Sequence, residues 1–356
     1  MNWTILRRSC AAIVLTMAAC DGDVSQREGD GVSPDTLDNG VLLNSFRLNS
    51  FRLNSFRLNS FRLNGDPGTQ DYIQMVAVDL PGKDQPAHSW IDGSELRVVT
   101  THAKVLAGTK LVGTRISFAV QEDGVQHLRE LWIAGVALPK TSKHKHKHKQ
   151  QDAADAGLVT YDLRIRELPN TKWAPLCGLD GEGKPIATVL LSDVWDPETG
   201  AQIVPRPSGV VTLACVDAAL GKCASWGYHP WASQGGEPLA DYHQACTRLV
   251  RADYCGDGTP HTLDGTPIHV LDPLGIEKVD PYASYVVEAE WGPDGAVCLN
   301  PANTRLPDVE VACADLLPPC GDDFAAGGLL QSGKLVGGGG EQCPRPRPAQ
   351  TPGSAP

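Results

Sequence analysis

Tyr242 to Asp272 reads YHQACTRLVRADYCGDGTPHTLDGTPIHVLD, and it holds His, Asp, Arg and Cys more densely than any other stretch of the chain. Tyr242, Ala245, Cys246, Leu249 and Val250 follow the i, i+3, i+4, i+7 spacing of an amphipathic helix. Arg248 and Arg251 fall off that stripe and are expected to face water. Asp253 lies four residues after Leu249 and seven after Cys246, so it shares the apolar face. A carboxylate there needs partners or a raised pKa. Gly256 is the expected helix stop. Turn signals follow at Gly256-Asp257-Gly258 and Asp264-Gly265-Thr266-Pro267, with His261-Thr262-Leu263 and Ile268-His269-Val270-Leu271 as short strands.

Ala252-Asp253-Tyr254-Cys255, then Gly256-Asp257-Gly258, His261-Thr262 and Asp264-Gly265-Thr266, resemble the ADYC domain. Lys222-Cys223, Trp226-Gly227-Tyr228 and Pro230-Trp231 fit the same pattern. So do Trp173 to Gly178 upstream and Glu288 to Cys298 downstream. The resemblance runs from about Trp173 to Cys320. It implies a bacterial secreted or lipid-anchored protein, and it carries over no activity and no catalytic residue.

The net charge of −11 argues against a general nucleic-acid binder. Of eleven cysteines, Cys10 and Cys20 lie near the start and the other nine fall between Cys177 and Cys343. That clustering points to an oxidised second half in which eight cysteines form four bridges. Near neighbours are the expected pairs: Cys215–Cys223, Cys246–Cys255 and Cys313–Cys320. Cys343, in a Pro-rich stretch, is the expected odd one. With no C-x2-C pair, a zinc site is disfavoured.

Residues 1–19 have the build of a signal peptide: Arg7-Arg8, an apolar run from Ala11 to Met17, then Met17-Ala18-Ala19-Cys20 resembling a lipobox. Cys20 is then the lipidated residue of a protein secreted across the inner membrane and anchored to the cell envelope. Residues 20–69 read as a tether. Within it, Leu-Asn-Ser-Phe-Arg repeats four times from Leu43 to Arg62. A period of five keeps Phe46, Phe51, Phe56 and Phe61 on no common face of a helix, and an odd step alternates faces in a strand. A slippage-expanded linker fits best, with its four Arg and no acid suited to anionic lipid beside the anchor.

Residues 70–170 are strand-rich, with runs at Ile73–Val78, Leu96–Val99, Leu111–Val120, Leu131–Val136 and Leu158–Ile165 between turn signals. Alternation in Thr160 to Arg166 leaves one face wet, as in an antiparallel sheet. His144, His146 and His148 alternate with Lys, and weakly suit Zn, Cu or Ni. The better reading is a solvated hairpin insertion, because the lysines repel a cation. Residues 171–320 continue with strands at Ala187–Leu191, Gln202–Val204, Val210–Cys215, Tyr285–Trp291 and Val297–Leu299, and a short helix at Asp217–Ser225. Residues 321–356 read as a Gly/Pro-rich disordered tail. The fold class expected is mainly β with some α: a strand-rich antiparallel N-terminal half and a disulfide-braced α+β second half, meeting at Asn170–Trp173.

An enzyme would draw on His243, Asp253, His261 and Asp264, with His229 and Asp257 nearby, as a metal- or His/Asp-dependent hydrolase outside the cytoplasm. Cys255 could serve as nucleophile only if unpaired. None of G-x-S-x-G, H-E-x-x-H or a P-loop is present. A non-catalytic module would instead use Trp226, Tyr228 and Trp231 as stacking faces for an envelope glycan, peptide or protein. The sequence leaves enzyme or not undecided and favours the binding or structural module. It implies no cofactor and no nucleic acid, and a membrane partner through the lipid anchor.

Overall fold

The computed structural model describes residues 42–43, 57–59 and 73–336, apart from 83, 123–124, 140–156, 197–198, 206–209, 264–265, 278–283 and 322–323. Cys20, His144, His146, His148, Asp264 and Cys343 therefore lie outside the described residues. Two short strands come first among the described residues, β1 (Leu42–Leu43) and β2 (Arg57–Asn59). Then come β3 (Ile73–Asp79), β4 (Pro86–Asp92), β5 (Glu95–Thr100), β6 (Val105–Ala107), β7 (Arg115–Glu122), β8 (Val125–Ala137) and β9 (Thr160–Glu167). The two-residue β10 (Ala174–Pro175) precedes β11 (Thr188–Leu191), β12 (Val210–Cys215) and helix α1 (Ala219–Ser225). A small ribbon, β13 (Ser233–Gln234) and β14 (Glu237–Pro238), leads into helix α2 (Ala240–Arg251). The chain continues through β15 (Pro267–Leu271), β16 (Ser284–Gly292), β17 (Gly295–Leu299) and β18 (Leu330–Val336).

All named pairings are antiparallel, and the fold class follows the expectation. The largest sheet has the order β2-β12-β11-β9-β8-β7-β3, with β10 on β9. Strand alternation builds its core. Leu131 and Ile133 of β8, Tyr161 and Leu163 of β9, and Phe118 of β7 turn to one face and meet Val98, Leu106 and Leu111 from the β4-β5-β6 side. Two polar side chains in this core hold backbone amides: the Tyr161 hydroxyl accepts from Leu96 N at 2.8 Å and Ser94 Oγ accepts from Val159 N at 2.9 Å. At the β11–β12 end the opposite face carries Val189, Leu191 and Ala214, on which Leu220 and Ala224 of α1 pack.

Helix α2 lies beside α1 and, on its other side, against a five-stranded sheet ordered β1-β15-β18-β16-β17. Leu249 and Val250 meet Ile268, Val270, Ala289, Trp291, Leu299 and Leu330 there. Strand β18 sits between β15 and β16, so the segment expected to be tail is in part a central strand. Its glycine-rich surroundings masked Leu330, Gln331 and Ser332, all buried. Gln202–Val204 forms only a single bridge, Gln202 to Trp195, and His261–Leu263 forms no strand. Strands from both sides of Asn170–Trp173 share the large sheet, and every described residue falls in one compact unit, Asn39–Pro356.

Among the described residues, eight cysteines form four disulfides: Cys177–Cys215, Cys223–Cys246, Cys255–Cys313 and Cys298–Cys320. None of the expected near-neighbour pairs occurs. A bridge needs Cα atoms about 5–6 Å apart with converging side chains. Cys246 points from the middle of α2 to α1, whereas Cys255, past the helix end, turns to the Cys313 segment. Cys215, at the end of β12, faces the Cys177 loop rather than α1.

Candidate functional site

Helix α2 stops at Arg251, earlier than Gly256. Ala252 takes the left-handed conformation (φ 50°), and its N–H donates to the Arg248 and Leu249 carbonyls. Asp253 N returns to Arg248 O at 3.0 Å, closing the helix end as glycine usually does. This turn aims Asp253 back under the helix, fully buried. Its carboxylate accepts from Arg248 Nη1 at 2.5 Å and from Gly258 N at 3.2 and 3.1 Å, with Arg251 Nη1 4.0 Å away. Arg248 and Arg251, expected in water, are 2% and 6% exposed. The carboxylate and carbonyl acceptors explain this. Arg248 also donates to Thr199 O and Pro293 O, and Arg251 to Gly258 O. The backbone at residue 200 comes this close because it is glycine: a Cβ there would lie 2.5 Å from Arg251 Nη1.

The other two letters of the tetrapeptide are equally committed. The Tyr254 hydroxyl donates to Glu288 Oε1 at 2.6 Å, and its ring stacks on Trp291 at 5.2 Å. Burial, then Glu288, pushes this phenol well up. Glu288 also accepts from Arg305 Nε at 3.1 and 3.0 Å and from Ser332 Oγ at 2.7 Å. Cys255 is bonded to Cys313. Gly256 follows at φ 70°, where a Cβ would stand 1.8 Å from Asp294 O, so only glycine lets this turn meet the β16–β17 turn.

Each described candidate catalytic residue has its own partners. His243 is fully buried, bonds Leu220 O through Nε2 at 3.0 Å, and burial lowers it to about 4. Its ring faces Trp195 rather than Asp253. His261 is buried with Nδ1 3.1 Å from Ala252 O and its ring tilted on Tyr254. Asp257 accepts from Thr259 N, the bond of a turn residue.

Of the three aromatic candidates, Tyr228 is fully buried core. Its hydroxyl donates to Asp272 Oδ2 at 2.9 Å, and burial raises it well above the usual phenol. Trp226 is half-buried against the α2 core. Trp231 keeps a solvent face, at 37% exposure. It stacks on His229 at 5.2 Å, and its indole edge lies over Gly93 of the β4–β5 turn. On the same hairpin Trp90 is 40% exposed and stacks on His88. The sequence did not single out Trp90. It also missed Glu277, whose half-buried carboxyl is raised to about 7 by burial and by Asp272. Among the described residues no group of three or more His, Cys, Asp or Glu could hold a metal ion.

Residues 108–305, more than half of the chain, match the family model of the ADYC domain. The chain belongs to the ADYC-domain family. The match starts in the strand-rich half, well before Trp173, so the ADYC domain takes in β7 to β9 as well as the helices. No curated protein and no solved structure matches the chain. The residues that name the ADYC domain are thus a helix stop, a buried ion pair, a phenol in a second buried ion pair and a disulfide.

Proposed function

We propose that this protein is a non-catalytic binding or structural module of the cell envelope, secreted and anchored by lipid on Cys20. One observation carries the reading. The chemistry-bearing residues of the ADYC motif are tied up in bracing: Asp253 by Arg248 and Gly258, Tyr254 by Glu288, Cys255 by Cys313. The four disulfides support an oxidising compartment. Trp231 and Trp90 on the β4–β5 side supply the exposed aromatic surface that a glycan or peptide would stack on.

Co-sedimentation of the full chain with peptidoglycan sacculi tests the binding half. Trp231→Ala should weaken retention about tenfold while thermal unfolding stays unchanged. Retention that is unaltered in Trp231→Ala but abolished in a folded His261→Ala protein would sink this reading in favour of chemistry at the motif. For the anchor, Cys20→Ala should end labelled palmitate incorporation and move the protein from the membrane to the soluble fraction.

A further inference from the structure

Two His-x-Trp triplets take the same local form: His88-Ser89-Trp90 on β4, and His229-Pro230-Trp231 in the loop after α1. In each the imidazole stacks on the indole, with ring centroids 5.8 Å apart at 21° in the first pair and 5.2 Å apart at 8° in the second. Both indoles nevertheless stay exposed. A tryptophan covered by a histidine and still wet is held in place without being core. Such a ring loses little freedom when a ligand lies on it.

The two pairs meet at the β4–β5 hairpin. Ile91, Leu96 and Val98 turn into the core, so Trp90 and Arg97, partners in register, share the outer face. Trp231 lies against Gly93 at the turn. Between Trp90 and that turn comes Asp92. Arg97 Nη2 donates to Asp92 Oδ2 at 3.0 Å and to Glu95 Oε2 at 3.1 Å, and all three side chains are partly in water. An indole face takes the C–H side of a sugar ring, while carboxylates accept from its hydroxyls and a guanidinium donates to them. Two braced indoles beside such a cluster suit a ligand that is apolar on its faces and hydroxylated at its rim. Two carboxylates against one guanidinium leave the cluster acidic, on a chain of net charge −11, which disfavours an acidic polymer.

We propose that the β4–β5 hairpin binds an uncharged glycan chain, with Trp90 and Trp231 as stacking faces and the Asp92–Arg97–Glu95 cluster bonding its hydroxyls. This rests on the binding reading above and narrows its partner from glycan or peptide to a neutral glycan.

Calorimetric titration of the full chain tests this, with neutral hexasaccharides of glucose, mannose and N-acetylglucosamine and with the galacturonate hexasaccharide. At least one neutral chain should bind saturably and more tightly than the galacturonate. Added salt should change little, since the ligand has no charge to screen. Trp90→Ala should weaken binding about tenfold. Arg97→Lys keeps the charge, loses the planar fork and should weaken it too, so the site is tested even where Trp90→Ala does not fold. Unchanged affinity in folded Trp90→Ala and Arg97→Lys proteins overturns the proposal. So does failure of all three neutral chains, or a preference for the galacturonate. Dimers that form with concentration and dissolve in Trp90→Ala would put a second copy on the hairpin, and overturn it as well. If sacculi still hold the protein through Trp231 when no neutral hexasaccharide binds, the proposal falls and the binding reading stands. If neither binds, both fall.

Discussion

The core between the eight- and three-stranded sheets and the core around α2 are built from different chemistry. The first is an aliphatic and aromatic face, Phe118, Leu131, Ile133 and Leu163 against Val98 and Leu106. The second buries two ion pairs, Arg248–Asp253 and Arg305–Glu288, with every member at most 3% exposed by side chain. Burial of apolar area stabilises the first in proportion to its extent. A buried ion pair has a desolvation cost that cancels much of its attraction, so the second core gains little net stability from its charges. What the charges provide is position. Arg248 holds the loop at Thr199 and the turn at Pro293, and Arg305 reaches Val250 O across the helix end. The disulfides supply what the charges do not.

If that contrast is right, breaking one partner of a pair should exceed any single aliphatic trim. Glu288→Ala leaves Arg305 buried without its carboxylate and should cost about 3–5 kcal/mol in urea unfolding. A loss under about 1 kcal/mol would show that water reaches the pair and that the two cores are less different than their burial implies. Next in size is the helix–helix bridge. Cys223→Ala with Cys246→Ala opens a loop with a sequence separation of 23 and should cost about 3 kcal/mol. Scanning calorimetry should show the second core giving way first.

A third test uses acid. Glu277 is raised from 4.5 to about 7 in the folded protein. The folded state keeps a proton that the unfolded chain releases, so this group's contribution falls as pH rises through that window. His243 is lowered from 6.5 to about 4. The unfolded chain takes up its proton first, so this contribution falls as pH drops from 6.5 towards 4. The two oppose each other between 4.5 and 6.5. Glu277→Gln should remove one arm, raising stability at pH 8 by about 1–2 kcal/mol and leaving a curve that climbs from pH 4 to 6.5. An unchanged curve would mean that Glu277 is solvated. The smallest effect belongs to the aliphatic side: Ile133→Val should cost about 1 kcal/mol, with no change in pH dependence.

The same contrast explains what could be read in advance. Strands β3, β5, β8, β9, β12, β16 and β17 show in the sequence because alternation and turn residues act over a few positions. Strand β18 did not, since seven residues ending in a glycine run look like tail until Leu330 and Ser332 are seen buried between β15 and β16. The candidate site was legible as a density of unusual residues, and Asp253 was expected to be buried with partners, although a turn past the helix end and not the helix face buries it. Its use was not. Arg248 and Arg251 fell off the helix stripe and read as solvated, because spacing says nothing about a carboxylate or a carbonyl brought in from another segment.

By itself the sequence determined the antiparallel strands, the two helices seen among the described residues, the oxidised second half and the family. All of these depend on local periodicity or on residues counted in order. Only the tertiary structure decided which cysteine meets which, that Tyr228 is core while Trp231 faces solvent, and that the ADYC residues brace two buried ion pairs. Those outcomes depend on groups tens of residues apart meeting at a few ångströms, and a buried polar group is stable only when such a distant partner arrives.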